Sequence, residues 1–234
     1  ASEVGNAKVT TSGRTMKTMI NHHPDTRILN EYASGALPLA QSVCVSVHLH
    51  YCVQCQRQCQ ELKQMGSMLF DQLAPSQVDD SMLEAVLGRL DEEPPLAFDT
   101  TPSPDSSPAI VQRLMHGEYK DMDWNRLTSS LQISRLRTGD PQHEFSLYHI
   151  KAGGSIPKHT HRGTELTLVL EGSFSDEEGV YQQGDFIERD AEHVHTPTAA
   201  QSEDCICIGV LDAPIRFKSW TYRALNPFLS LQTA

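Results

Sequence analysis

No stretch of the 234-residue chain approaches the roughly 20 consecutive apolar residues that a membrane-spanning helix requires. The first fifteen residues, ASEVGNAKVTTSGRT, hold no apolar run, so no secretory signal is expected. Basic residues are scarce: 19 Lys and Arg against 30 Asp and Glu leave a formal charge of −11. A surface with that balance has no general attraction for DNA, RNA or anionic lipid, which carry the same sign. A basic protein surface is the partner it suits. Without an export signal a disulfide framework is not expected, so the six cysteines are candidates for metal ligands or core positions. The expectation is a cytoplasmic protein whose residues 1–15 form a disordered arm or a non-native remnant.

What is present divides the chain in two. Residues 91–108, DEEPPLAFDTTPSPDSSP, carry five prolines, five acidic residues and no basic one, the composition of a stiffened linker. Before it, residues 16–90 read as helices. Ile28, Leu29, Tyr32 and Ala33 repeat at helical spacing up to Gly35, and a second helix is expected from near Ser42. A third is expected over roughly 56–73 with Leu62, Met65, Leu69 and Leu73 on one stripe. A fourth, over roughly 79–90, carries Met82, Leu83, Val86, Leu87 and Leu90. Four short helices in about 70 residues make a small core that a structural metal would help, and the last stripe is available for a partner. After the linker the period changes. "FSLYHIKAGG", "ELTLVLEGSF", "GVYQQGDFIE" and "CICIGVL" are short strand-like runs, the pattern of a β-sandwich or barrel over 109–225.

Within the helical part, "HLHYCVQC" sets His48, Cys52 and Cys55 as H-x3-C-x2-C. On one helix these are positions i, i+4 and i+7 and share a face, giving three ligands toward a tetrahedral metal site. A helix-face histidine with ordinary core thiols would read the same way. The fourth ligand is sought among His22, His23, His50, Cys44 and Cys59. His50 points to the other side of the helix and Cys59 lies a turn too far along, which leaves the "NHHP" stretch ahead of the first helix.

The run "MINHHPDTRILNEYASGALPLAQSVCVSVHLHYCVQC" resembles the start of ChrR-family anti-sigma factors. The resemblance implies that the second histidine of the pair, His23, joins His48, Cys52 and Cys55 around a zinc ion. Four protein ligands leave no open position, so zinc there would be structural and would tie the first helix to the junction of the second and third.

The second half carries a denser signal. Gly153, His159, His161, Glu165 and Gly172 are spaced G-x5-H-x-H-x3-E-x6-G, which resembles the first cupin motif. Gly184–Asp185 followed by His195 has the interval of the second, although Asp190 and Glu192 stand where that motif has its proline and glycine. Three histidines and a glutamate at a barrel mouth suit a divalent metal with an open position, zinc being the first expectation and Mn, Fe, Ni or Cu the others. Cys205 and Cys207 lie at i and i+2 on a strand and face the same way. They read as buried core thiols or as a redox-responsive pair.

The expected fold class is therefore α+β and multidomain: a small zinc-binding helical domain, a linker and an all-β cupin jelly-roll barrel. That order resembles the ChrR architecture. The resemblance implies an anti-sigma factor that occludes an extracytoplasmic-function sigma factor until an oxidative cue, singlet oxygen or an organic hydroperoxide, releases it. Met82, Leu83, Val86, Leu87 and Leu90 are the expected contact stripe. The competing expectation is a cupin metal-dependent oxygenase or isomerase with a helical accessory domain, which would require a substrate pocket at His159 and Glu165.

Overall fold

A computed structural model of the protein describes residues 20–90, 108–115, 119–218, 222 and 231. Residues 1–15 and, apart from Pro108, the stretch read as a linker lie outside them. The helices are α1 (Thr26–Ala33), α2 (Leu39–Tyr51), α3 (Val53–Phe70), α4 (Asp80–Arg89) and the short α5 (Ala109–Met115). The strands are β1 (Asn125–Arg126), β2 (Leu131–Leu136), β3 (Glu144–Ile150), β4 (His159–Thr160), β5 (Glu165–Glu171) and β6 (Ser173–Ser175). They continue with β7 (Val180–Gln182), β8 (Phe186–Arg189), β9 (Val194–His195), β10 (Thr198–Ala199), β11 (Cys205–Leu211) and β12 (Arg216–Phe217). All pairings are antiparallel, in one six-stranded sheet ordered β1-β2-β3-β11-β5-β8 and two three-stranded sheets, β10-β6-β7 and β12-β4-β9.

The large sheet is buried on both faces. Successive side chains of a strand point to opposite sides, and here the two sets enter different cores. Val169, Ile187 and Cys205 face inward, where they meet Phe174 and Tyr181 of the small sheet. Phe145, Leu147, Leu166, Leu168, Phe186, Ile208 and Val210 face outward and pack in one cluster with Ile28, Leu29, Val43, Val47 and Cys55 of the helices. Double burial explains why "ELTLVL" and "CICIGVL" read as continuous apolar runs rather than as alternation.

The helices share this core with the sheet instead of closing one of their own. Helix α2 packs on β5 and β11, α1 and α3 pack on each other and on α2, and α5, at the start of the strand-rich half, packs on α2, with Val111 buried in the same cluster. From residue 63 to residue 90 every described side chain is exposed, including Met65, Leu69 and Leu73 of the expected third stripe. That stripe is helical to Phe70, but past half-buried Leu62 it covers nothing.

Two helix boundaries have long-range causes. Asp25 caps α1 locally, its carboxylate accepting the Ile28 N–H at 2.7 Å. Helix α2 starts at Leu39, earlier than the expected Ser42, with no side-chain cap of its own. Its free Ala40 N–H donates instead to Asp140 Oδ2 at 3.1 Å, across 100 residues of sequence, from the β2–β3 connection. Burial acts to raise the Asp140 carboxyl, but the N–H groups of Gln142 and Ala40 and the His143 ring outweigh it and hold it down at about 2.

Two outcomes follow from this packing. Leu168→Ala, at a fully buried position facing the helices, should cost about 2–5 kcal/mol, and in urea the helical circular dichroism should be lost together with the barrel rather than ahead of it. A carboxyl held below its unfolded value near 4 contributes stability that is complete above that pH and lost as pH falls toward about 2. Asp140→Asn should therefore lower the urea midpoint at pH 7 and narrow the difference between pH 7 and pH 3.

Two candidate metal centres

The first cluster forms where a helix breaks. On an uninterrupted helix His48 and Cys55 would stand about 10.5 Å apart along the axis, too far to share one ion. The single-helix expectation for this motif is thus corrected: α2 ends at Tyr51, and Cys52 adopts an extended conformation, φ −106° and ψ 101°, before α3 begins. Its N–H still closes α2 on His48 O, and its sulfur accepts the Cys55 N–H at 3.4 Å. Both sulfurs thus sit at the N-terminus of α3, where the helix dipole favours thiolate.

The segment ahead of α1 completes the group. His23 Nδ1 lies 3.3 Å from Cys52 Sγ and 3.4 Å from Cys55 Sγ, and ligand atoms of His23, His48, Cys52 and Cys55 all fall within 4.8 Å of one another. A tetrahedral zinc with bonds of about 2.0–2.3 Å would hold its ligands about 3.3–3.8 Å apart. His48 Nδ1–H donates to Gly184 O at 2.8 Å, while its Nε2 is buried without a hydrogen-bond partner. Burial lowers the His48 imidazole to about 4, so it is neutral, the form that binds metal. Burial among thiols also pushes Cys55 up, a penalty on the thiolate that a cation would reverse. An orphaned nitrogen facing two sulfurs and a second imidazole fits zinc.

His22 takes a different course. Its ring stands against Tyr181, with Nδ1 3.5 Å from Asp185 Oδ2. His50 is exposed, and buried Cys44 and Cys59 belong to the core.

The second cluster lies inside the barrel. Strands β4 and β9 set His159 opposite His195, and the chain from β4 into β5 supplies His161 and Glu165. The His195 Nε2 atom is 3.1 Å from the Nε2 atoms of both His159 and His161, and Glu165 Oε2 is 3.2 Å from His161 Nε2. His159 Nδ1–H donates to Pro157 O at 2.9 Å, and His195 Nδ1–H to Asp176 Oδ2 at 3.1 Å. These bonds place both remaining lone pairs on Nε2, pointing at each other. Such an arrangement is repulsive unless a cation lies between. Burial lowers His159 to about 4 and His161 to about 3, and burial raises Glu165. The substituted second motif still makes its turn: Asp190 Oδ1 accepts the Glu192 N–H at 2.9 Å in place of the missing proline and glycine.

A cavity of about 20 Å³ adjoins His159, Glu165 and His195, walled by Tyr148, Arg189 and Cys207. That is room for one water-sized molecule and not for an organic substrate. Cys205 and Cys207 are free and buried on the barrel side of β11, the Cys205 thiol and burial holding Cys207 well above the usual thiol range. A larger cavity of about 210 Å³, mostly apolar, lies beyond Tyr148 and touches none of the four ligands. The partners of the ligands, Gly184 O, Pro157 O and Asp176, carry no sequence signal as such. Only Gly184–Asp185 has one, its interval to His195.

The stripe on α4 is placed differently: Met82, Leu83, Val86, Leu87 and Leu90 are 53–67% exposed and far from packed. Among the described residues no helix is long and apolar enough to cross a membrane.

Comparison with known proteins agrees with both halves. The ChrR Cupin-like domain family matches residues 112–213. Anti-sigma-E factor ChrR of Cereibacter sphaeroides is 33% identical over 212 residues, covering 91% of this chain and 99% of that protein. A chain in the crystal structure of Rhodobacter sphaeroides SigE in complex with the anti-sigma ChrR superposes with a TM-score of 0.74 at 33% identity, covering 83% of this chain and all of that one. With 91% of its length matched to 99% of the Cereibacter sphaeroides relative, the chain belongs to the ChrR family of anti-sigma factors.

Proposed function

We infer that this protein is an anti-sigma factor that holds an extracytoplasmic-function sigma factor through residues 63–90, with a zinc ion at His23, His48, Cys52 and Cys55 organising the helices that present them. The observation that carries the reading is the exposed apolar surface of α3 and α4: Met65, Leu69, Met82, Leu83, Val86 and Leu87 are all more than half exposed. A patch of that kind on a folded protein marks an interaction site, and an amphipathic helix is suited to a partner's groove. The relative in the matched crystal structure is in complex with SigE, which makes a sigma factor the partner to test. The net acidity of the chain complements a DNA-binding partner and gives no affinity for DNA itself.

The barrel is the sensing half. A divalent metal at His159, His161, Glu165 and His195 would offer an open coordination position to a small ligand, and the cavity beside it is scaled to about one water-sized molecule. This favours a small oxidant over the organic substrate of an oxygenase or isomerase. Cys207 is in the wall of that cavity and Cys205 is its neighbour on β11, so these are the thiols such an oxidant would meet.

Val86→Glu or Leu87→Glu should weaken sigma-factor binding by roughly tenfold or more, since hot-spot losses exceed about 1.4 kcal/mol, with metal content unchanged. Calorimetric titration and elemental analysis check both halves of that statement, and wild-type affinity in both variants would refute the assignment. The purified wild type should carry two metal ions per chain, Cys52→Ala/Cys55→Ala one, and His159→Ala/His195→Ala one.

A further inference from the structure

The two candidate metal clusters lie in halves of the chain that the sequence reads as separate, yet one turn of the barrel bonds both the His48 ligand and the arm that leads into His23. Gly184 and Asp185 connect β7 to β8. The Gly184 carbonyl accepts the His48 Nδ1–H at 2.8 Å. One Asp185 carboxylate oxygen accepts the N–H groups of Asn21 and His22, at 2.8 and 3.0 Å, in the arm that ends in His23. Phe186 N–H then donates to His22 O at 3.0 Å, so the arm lies against the start of β8. Asp185 is fully buried, and its second oxygen closes the turn on Gln182 N–H at 2.9 Å. Gly184 has φ +90°, and a Cβ there would stand 2.9 Å from Ile20 and 3.0 Å from Tyr51. The side chains of Ile20 and Tyr51 crowd that point, and the positive φ favours glycine there.

The same strand ends at the other cluster. β8 is four residues long, and its last residue, Arg189, lies opposite Glu165 across the β5–β8 ladder. Arg189 also donates to Asp176 Oδ2 at 3.3 Å, the oxygen that receives the His195 Nδ1–H. One short, doubly buried strand therefore meets the ligand arm of one site at its start, and at its end pairs with Glu165 and reaches the carboxylate that supports His195.

We propose that Gly184–Asp185 is the outer shell of the N-terminal metal centre, with Asp185 a positioning residue for His23, and that β8 makes the grip of that centre depend on the state of the barrel's centre. The inference deepens the reading given above and rests on both clusters being metal sites. It supplies what a sensing barrel needs, a rigid element shared by both sites whose arrangement each can bias. By linkage the effect must be reciprocal.

The test uses the full-length chain loaded with cobalt. Thiolate-to-cobalt charge-transfer absorption reports only the Cys52–Cys55 site, because the barrel set has no sulfur ligand. A wild type without that band would overturn the metal reading itself and this proposal with it, whatever the outcome of sigma-factor binding. With the band present, chelator competition gives the affinity. Asp185→Asn keeps the shape but has one acceptor oxygen where two are used, and it should lose about 10–100-fold. Asn21→Pro deletes one of the donated N–H groups from the arm side, leaves the barrel untouched and should lose affinity in the same direction. His159→Ala, which empties the barrel site, should also lower the affinity, and combined with Asp185→Asn its effect should be less than multiplicative. Wild-type affinity in both Asp185→Asn and Asn21→Pro, or independent multiplication in the double variant, would overturn the proposal.

Discussion

The outer face of the six-stranded sheet has to be covered, and helix α2 covers it. Phe145, Leu147, Leu166, Leu168, Ile208 and Val210 point away from the barrel interior and would be a large apolar surface in water if the helices were absent. Helix α2 lies over them with Ala40, Cys44, Val45 and Val47 fully buried. The remaining architecture depends on this contact. It brings the end of α2, with His48, to the Gly184 turn. It holds the start of α2 against Asp140. It also leaves α1 and the arm ahead of it beside β8, where their polar groups must be paired.

One consequence is what the sheet does not cover. The helices spend their apolar surface on the barrel only as far as Leu62, and the chain from residue 63 onward keeps exposed helices rich in Met and Leu. Isolated helices of that length are marginal in water and gain most of their stability from packing an apolar face. A segment of this kind is suited to completing its core with another protein, and methionine-rich surfaces adapt to a partner's contour. The cluster of His23, His48, Cys52 and Cys55 stands where α3 begins, at the root of the part that projects uncovered.

Legibility in the sequence followed the range of the interactions. Spacing along the chain marked most of the residues that the structure gathers, because H-x3-C-x2-C and the histidines and glutamate of the barrel motifs are local patterns, whereas His23 was implied by the family resemblance and not by an interval. The change from helical to alternating period located the strand-rich half. A junction between the second and third helices was expected, but its position at Cys52 was not legible: residues 48–55 contain no proline or glycine, and the extended residue lies where His23, His48, Cys52 and Cys55 come together. The early start of α2 was equally hidden, since its cap, Asp140, is 100 residues away. The exposed third stripe has the same cause. Periodicity tells which face of a helix is apolar but not whether the covering surface belongs to the same chain.

The central claim is that residues 63–90 hold the sigma factor while the sheet and the metal keep the preceding helices in place. Amide hydrogen exchange of the metal-loaded full-length protein, with and without an extracytoplasmic-function sigma factor from its own organism, tests it most directly. The account predicts a large gain of protection confined mainly to residues 63–90, with α2 already protected in the free protein. Protection appearing on the barrel strands while residues 63–90 exchange as before would contradict it.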